Sequence, residues 1–363
     1  FVGEAAHTLN LTEALRRAGH TVLLGMREGH ASFETARKRG LEPHAFAMQH
    51  RWWFSHDVPD LRKIERLVRE HGVQVIHAHR GKDHWLAVLA ARMRRLKVPV
   101  VRTRHVVTPL KPHVANRWLA KRTARLVAVS RAVERDVVSS GVYRPEQVVR
   151  ISGGLDLERY QAAGRRAEQR QKLNLAPDAP VAVCVARFAK VKAHRILLQA
   201  WKQVVATRQD AVLLLVGGGA LQAEAEAQAR ELKLDGAVRF LGAQEAEEIP
   251  AILEAADLGV LASVGSEGFS RAVLEYLALG LPVAATNVGA VPDLVESGAN
   301  GRLVPPEDAR ALGAAILEVL CMPPARRAEW GRAGRACAEA RHGYASWAQA
   351  HEELYRELLM RDA

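Results

Sequence analysis

Residues Ser263–Pro292 read SVGSEGFSRAVLEYLALGLPVAATNVGAVP, and this pattern decides the fold. A strand end and a glycine-bearing turn, Gly265-Ser266-Glu267-Gly268, lead into a helix. A strand follows and runs into a second glycine turn. Val273, Leu274, Leu277, Ala278 and Leu281 recur at helical spacing, so one helix face is apolar and packs on a sheet. The turn ahead of that helix leaves backbone N–H groups unpaired where the helix dipole favours an anion. Glu267 and Glu275 are separated by about 12 Å at helical rise. That gap suits the two ends of one extended ligand better than one metal ion or one acid/base pair. Carboxylates accept hydrogen bonds from sugar hydroxyls, and a nucleotide sugar has hydroxyls on both sides of its diphosphate. The plainer alternative is a solvated helix with surface glutamates.

The chain has 363 residues, enough for two ordinary domains with sizeable cores. The longest apolar run, Ala211–Leu221, is short of the roughly 18 residues of a membrane span and contains three glycines. Cys184, Cys321 and Cys337 are isolated, which argues for a reducing compartment and against a disulfide framework or zinc site. The net charge of +12 is concentrated: Phe1–Arg150 holds 28 Lys and Arg against 13 Asp and Glu, and the rest 24 against 27. A basic first half points to an anionic partner there.

Outward from Ser263 the pattern repeats. Strands are expected at Val181–Ala186, Ala211–Val216, Val238–Leu241, Leu258–Ala262 and Gly301–Val304, alternating with amphipathic helices. The first half shows strands at Thr21–Gly25, Val73–Ala78, Val98–Thr103 and Leu126–Val129, again with helices between, the first of them at about Thr8–Ala18. Each half is therefore read as a parallel, doubly wound α/β sheet. A domain opening on a helix usually has a strand ahead of it, so a first strand is expected to be missing before Gly3. Polar Gly154–Pro180 reads as the connection between domains. Helices at Ala309–Leu320 and from about Pro324 to Met360, broken near Gly343, finish the chain.

Arg187 and Lys192 follow the second domain's first strand, where ligands of open α/β sheets bind. Arg can grip a phosphate bidentately and Lys adds a point charge, although two solvated loop cations would look the same. Taken with Val238-Arg239-Phe240-Leu241-Gly242, Asp257, Ser263, Glu267-Gly268-Phe269, Glu275, Gly280-Leu281-Pro282-Val283 and Gly289, they resemble the donor half of retaining family-4 glycosyltransferases. Gly3-Glu4, Gly19-His20, Ile76-His77-Ala78-His79, Thr103-Arg104-His105 and Val129-Ser130 resemble that family's acceptor half. The set as a whole, with its E-x7-E spacing, is specific; each part alone is weak.

The resemblance implies the GT-B fold, two facing Rossmann-like domains at 1–160 and 161–343, with the helix 344–363 packing back on the first. It implies an enzyme that transfers a sugar from a nucleotide-sugar donor to a glycan or lipid-linked acceptor, of the lipopolysaccharide or cell-surface type. Arg187 and Lys192 would hold the diphosphate, helped by backbone amides of Gly268, Phe269 and Ser270. Phe240 and Leu241 would also line the donor. Glu275 would bind the ribose and Glu267 the donor sugar. His105 would sit beside the transferred sugar, with Gly3 and His79 on the acceptor side. The leaving phosphate itself would help deprotonate the acceptor, so no nucleophile is named. The nearest thing to a D-x-D motif is Asp156-Leu157-Glu158, so no metal or other cofactor is expected. Ala193 stands where the family usually has Gly, Gly217-Gly218-Gly219 lacks the common acidic residue, and Ala262 replaces the usual Pro.

Two further signals concern partners. Arg117, Lys121 and Arg125 recur every four positions and would share one side of a helix, and Arg51-Trp52-Trp53-Phe54 is a basic-aromatic cluster. Such faces can lie on anionic lipid headgroups, which would make the protein cytoplasmic and peripheral on the membrane; a solvated face and a packed loop are the plain reading. His77 and His79 would point to one face of a strand, more simply as core or edge histidines than as metal ligands. The competing functions are a nucleotide-sugar epimerase of the same fold and a basic nucleic-acid-binding protein, the latter without any recognised reading motif.

Overall fold

The computed structural model describes residues 3–49, 54–265 and 267–361. The readings placed on Ser266, on Arg51, Trp52 and Trp53, and on the Phe54 side chain lie outside the described residues. The chain forms two compact units, Phe1–Gly154 with His342–Ala363, and Leu155–Arg341.

Unit 1 runs α1 (Gly3–Arg17), β1 (Gly25–Arg27), α2 (Ala31–Lys38), β2 (His44–Phe46), α3 (Phe54–His71), β3 (Ile76–Ala78), α4 (Gly81–Met93), β4 (Val100–Arg104), α5 (Val114–Ala120), β5 (Arg125–Ala128), α6 (Arg131–Ser139) and β6 (Val148–Arg150). Its strands are parallel but form two separate sheets, β1-β2 and β3-β4-β5-β6. Between them lies a cavity of about 1350 Å³, lined on one side by Leu23 and Leu24 and on the other by Val75 and Ile76. Thr21–Leu24 belong to no strand, contrary to the hydrophobic pattern: pairing with β2 begins only at Gly25, just after the Leu24 carbonyl accepts from His44 N–H at 2.8 Å. The expected helix at Thr8 starts earlier, at Gly3.

The basic stripe is not a helix face. α5 ends at Ala120, Lys121 caps it, and Arg125 opens β5, where it pairs with Glu357 at 2.6 Å. Four-residue spacing puts side chains together only while the helix persists, and here a strand intervenes. Arg122 instead stacks over Trp118, 4.2 Å from the ring centre.

Unit 2 begins with α7 (Arg166–Lys172), then β7 (Val181–Val185), α8 (His194–Thr207), β8 (Val212–Val216), α9 (Gln222–Glu231), β9 (Val238–Gly242), α10 (Ile249–Glu254), β10 (Leu258–Leu261), α11 (Arg271–Ala278), β11 (Val283–Thr286), α12 (Val291–Leu294), β12 (Gly301–Val304), α13 (Ala309–Leu320) and α14 (Pro324–His342). One six-stranded parallel sheet has the order β12-β11-β10-β7-β8-β9. Successive residues of its central strands face opposite layers. Val181, Val183, Val212 and Leu214 enter one apolar cluster, and Ala182, Cys184, Leu213 and Leu215 the other. Both faces being covered explains why these strands read as unbroken apolar runs. In this sheet β7, the strand leading into α8, fills the place between β8 and β10.

The stretch Gly154–Pro180, expected as a connection, is mostly built into unit 2. Leu155 and Tyr160 are buried in its core, so the chain changes unit at Gly154/Leu155 and not near residue 160. Arg166 and Arg170 bind the buried Asp257 at 2.7 and 2.9 Å, and Arg165 binds Glu254 at 3.1 Å. A buried carboxylate must be paired, and these arginines supply the pairing. The final helix α15 (Tyr344–Arg361) belongs to unit 1, where Leu354 and Leu358 pack with Leu11 and Leu15 of α1. Among the described residues no helix is long and apolar enough to cross a membrane.

Candidate active site

The sheet of unit 2 reverses its direction of growth between β7 and β10, since β8 and β9 lie on one side and β11 and β12 on the other. Loops leaving the carboxyl ends of β7 and β10 therefore diverge and leave a crevice. The β7 loop carries Arg187 and Lys192, and the β10 loop carries Ser263 and Glu267. The two loops are joined by a backbone bond from Val264 N–H to Val191 O at 2.9 Å. Lys192 Nζ donates to Glu267 Oε1, which also accepts from Ser263 Oγ at 2.6 Å. Glu267 is nearly buried, so its charge depends on these partners.

Arg187 is exposed, and its guanidinium has no partner among the described residues. Its loop is held from below. A β-carbon on Gly217, whose φ is +140°, would stand 2.2 Å from Ala186 O, so only glycine lets β8's loop pass there. Lys192 ends a turn of 3-10 helix, and Ala193 takes the left-handed conformation at φ 49° before α8 begins. Cys184 lies beneath; burial pushes its thiol up to about 12, so it is an inert core residue.

The segment from Glu267 to Glu275 is helical only from Arg271. Gly268 and Phe269 form a bend and not a helical turn, so a spacing computed at helical rise does not hold here. Ser270 precedes α11 without a side-chain cap, leaving first-turn amides for another acceptor. Nor is Glu275 a surface glutamate: it is buried, and its Oε1 accepts from Arg271 Nε at 2.7 Å and Tyr160 OH at 2.9 Å. Neither partner was anticipated. Arg271 could have been found from its i,i+4 position, whereas Tyr160, 115 residues distant, gives no local signal. Phe269 packs half-buried against the core below α11. Phe240 and Leu241 sit half-buried on the edge strand β9, with the Phe240 ring 5.9 Å from that of Phe188.

Unit 1 gathers its own constellation. β3 and β4 are adjacent, so His79 and His105, each just beyond its strand, meet at 3.2 Å between Nδ1 and Nε2. His77 stacks on His79 at 4.6 Å and bonds Tyr355 OH at 2.6 Å and Thr103 Oγ1 at 2.7 Å. His7 of α1, missed in the sequence, sits 4.5 Å from the His105 ring. Desolvation holds His77, His79 and His105 well below the usual imidazole value and His7 down to about 3. The cluster is thus a set of neutral donors and acceptors. His7, His79 and His105 offer ligand atoms within 4.8 Å of one another. The Arg102 guanidinium, which acts on both His79 and His105, also opposes a dication there. Gly3 begins α1 in the open, and a β-carbon there would meet nothing within 4 Å. Asp156 precedes a short 3-10 turn, Leu157–Tyr160, that contains Glu158; Asp156 is buried and paired to Arg159 at 3.2 Å.

Comparison with known proteins gives two family matches: Glycosyltransferase Family 4 over residues 3–159 and Glycosyl transferases group 1 over residues 165–336. The chain is 30% identical over 311 residues to a D-inositol 3-phosphate glycosyltransferase of Saccharomonospora viridis, covering 78% of this chain and 70% of that one. It is 33% identical over 198 residues to a Corynebacterium glutamicum GDP-mannose-dependent monoacylated alpha-(1-6)-phosphatidylinositol monomannoside mannosyltransferase, covering 52% and 51%. Among solved structures, the Anabaena protein HepE in complex with UDP superposes with a TM-score of 0.84 at 23% identity, over 98% of this chain and 96% of that one.

Proposed function

The chain belongs to the glycosyltransferases of the group 1 and family 4 type, with the GT-B fold, and from that premise we propose that it moves a sugar from a nucleotide-sugar donor to a glycan or lipid-linked acceptor with retention at the anomeric carbon. The observation that carries the reading is the Lys192–Glu267–Ser263 arrangement at the sheet's switch point, with the exposed Arg187 on the same loop as Lys192. Arg187 and Lys192 meet the diphosphate, and the amides of Gly268, Phe269 and Ser270 add donors. These cations and dipoles stabilise the negative charge that grows on the leaving phosphate as the glycosidic bond breaks. Glu267, fixed by Lys192 and Ser263, accepts from donor-sugar hydroxyls, and Glu275 from the ribose. Phe240 and Leu241 supply an apolar wall.

On unit 1, His105 and His79 serve the acceptor side. Neutral imidazoles both donate and accept, which suits sugar hydroxyls. The excess of cations in Phe1–Arg150 favours an anionic acceptor, and relatives acting on inositol phosphate and phosphatidylinositol mannoside support that chemistry. Exposed Arg117 and Lys121 are the cations of the former stripe that remain to meet an anionic membrane face. Free Cys184, Cys321 and Cys337 fit a reducing, cytoplasmic setting. The transfer needs no metal.

The test is a panel of UDP-, GDP- and ADP-sugars screened by thermal shift and donor hydrolysis, with Glu275→Ala and Arg187→Ala alongside. A sugar nucleotide that stabilises the wild type, with stabilisation reduced in both variants, supports the reading. It fails if no nucleotide sugar stabilises the protein, or if both variants match the wild type.

A further inference from the structure

We propose that Arg271 and Tyr160 are positioning residues that set the Glu275 carboxylate to read the vicinal hydroxyls of the donor's ribose. This rests on the nucleotide-sugar reading of the same site.

Glu275 lies on α11, and its side chain is about 5% exposed. A carboxylate taken that far out of water must be compensated. The compensation is one-sided. Arg271 Nε and Tyr160 OH both converge on Oε1, at 2.7 and 2.9 Å, and Oε2 holds no hydrogen bond among the described residues. An arginine serving only as a structural counter-ion would grip both oxygens with its fork. Here the grip leaves one oxygen to accept from something else.

The two partners come from different places. Arg271 is one helical turn before Glu275, so α11 itself fixes their separation. Tyr160 arrives from the start of unit 2, with its ring buried in the core at 3% exposure. Its phenol is held above the usual range, first by burial and then by the Glu275 charge. The Arg271 guanidinium is stabilised in its charged form, first by Glu275. Both groups therefore remain donors, and Glu275 remains an acceptor. A fixed carboxylate with one unused oxygen suits a sugar diol, which offers two hydroxyl donors side by side. It penalises a ligand that lacks a hydroxyl, because the buried acceptor is then left unmatched.

The experiment compares UDP, GDP and ADP with their 2′-deoxy counterparts by titration calorimetry, on the wild type and on Arg271→Ala, Arg271→Lys and Tyr160→Phe. Tyr160→Phe keeps the ring in the core, and melting curves confirm that each variant is folded. For the diphosphate that binds, the wild type is expected to favour the ribo form by about tenfold or more. Arg271→Ala and Tyr160→Phe should cut that preference to about twofold while the deoxy form changes little, and Arg271→Lys should restore part of it. An unchanged preference in Arg271→Ala and Tyr160→Phe overturns the proposal. So does an equal loss for ribo and deoxy forms, which would mark the pair as merely structural or phosphate-binding. If none of the three diphosphates binds the wild type, the donor reading itself fails and takes this inference with it; intact binding with unaltered preference sinks only the positioning role.

Discussion

Gly289 passes so close to Glu267 that a β-carbon on it would stand 2.0 Å from the Glu267 carbonyl oxygen. The next residue's amide, Ala290 N–H, donates to that same oxygen at 2.7 Å. The loop after β11 thus clamps the backbone of the glutamate that Lys192 and Ser263 hold by its side chain. With φ at +53°, Gly289 is strained as well as crowded if replaced. Gly289→Ala should displace Glu267 and lower transfer by on the order of 100-fold, the usual cost of an ångström of misplacement. Activity assays set beside the melting temperature check this; full activity would show that Glu267 tolerates the shift.

Arg187 and Lys192 should behave differently when removed. Arg187 is exposed and has no side-chain partner among the described residues, so Arg187→Ala should leave stability within about 0.5 kcal/mol of the wild type while weakening nucleoside diphosphate binding. Lys192→Ala strips the buried Glu267 of its cation and should cost both stability and binding. Parallel denaturant melts and calorimetry with UDP or GDP separate the two patterns.

Ala193 adopts a left-handed conformation without being glycine. A β-carbon there costs about 1–2 kcal/mol, partly offset by the greater chain entropy that glycine loses on folding. Ala193→Gly should therefore stabilise unit 2 by about 0.5–1 kcal/mol, read as a higher denaturation midpoint at unchanged slope. Destabilisation would mean that the flanking turns already absorb the strain.

The buried histidines of unit 1 set a pH dependence. His7 and His84 are held down to about 3 and His351 to about 4, in each case chiefly by burial. Their folded values lie below the unfolded one, so from about pH 6.5 downward the unfolded chain takes up protons that the native unit refuses. Stability is complete above the unfolded value and is lost as pH falls toward 4, by up to about 1.4 kcal/mol per pH unit for each such histidine. Denaturant melts between pH 7.5 and 4.5, with His84→Gln lessening the slope, test the sign.

Transfer should proceed at an unchanged rate in millimolar EDTA. Loss of activity on chelation, restored by added metal, would instead direct attention to His7, His79 and His105.

The sequence alone determined the class of fold, because apolar strand runs and amphipathic helices record which faces are buried, and burial on both sides of a parallel sheet leaves no alternation to misread. The placement of Arg187, Lys192, Ser263 and Glu267 just past strand ends was legible for a related reason, since it follows from where the strands stop. Tertiary structure decided what those groups touch. Tyr160 reaches Glu275 across 115 residues, and no local spacing encodes a contact made by packing. His7 joins His79 and His105 only because α1 lies against the ends of β3 and β4. The Arg117–Lys121–Arg125 stripe failed for the converse reason, since a regular interval in sequence becomes a face in space only where the helix continues. Arg165, Arg166 and Arg170 lie in the stretch that reads as a polar connection, and only their pairing with the buried Asp257 and Glu254 explains them. Composition and period say which residues are to be buried; only the packed chain says beside whom.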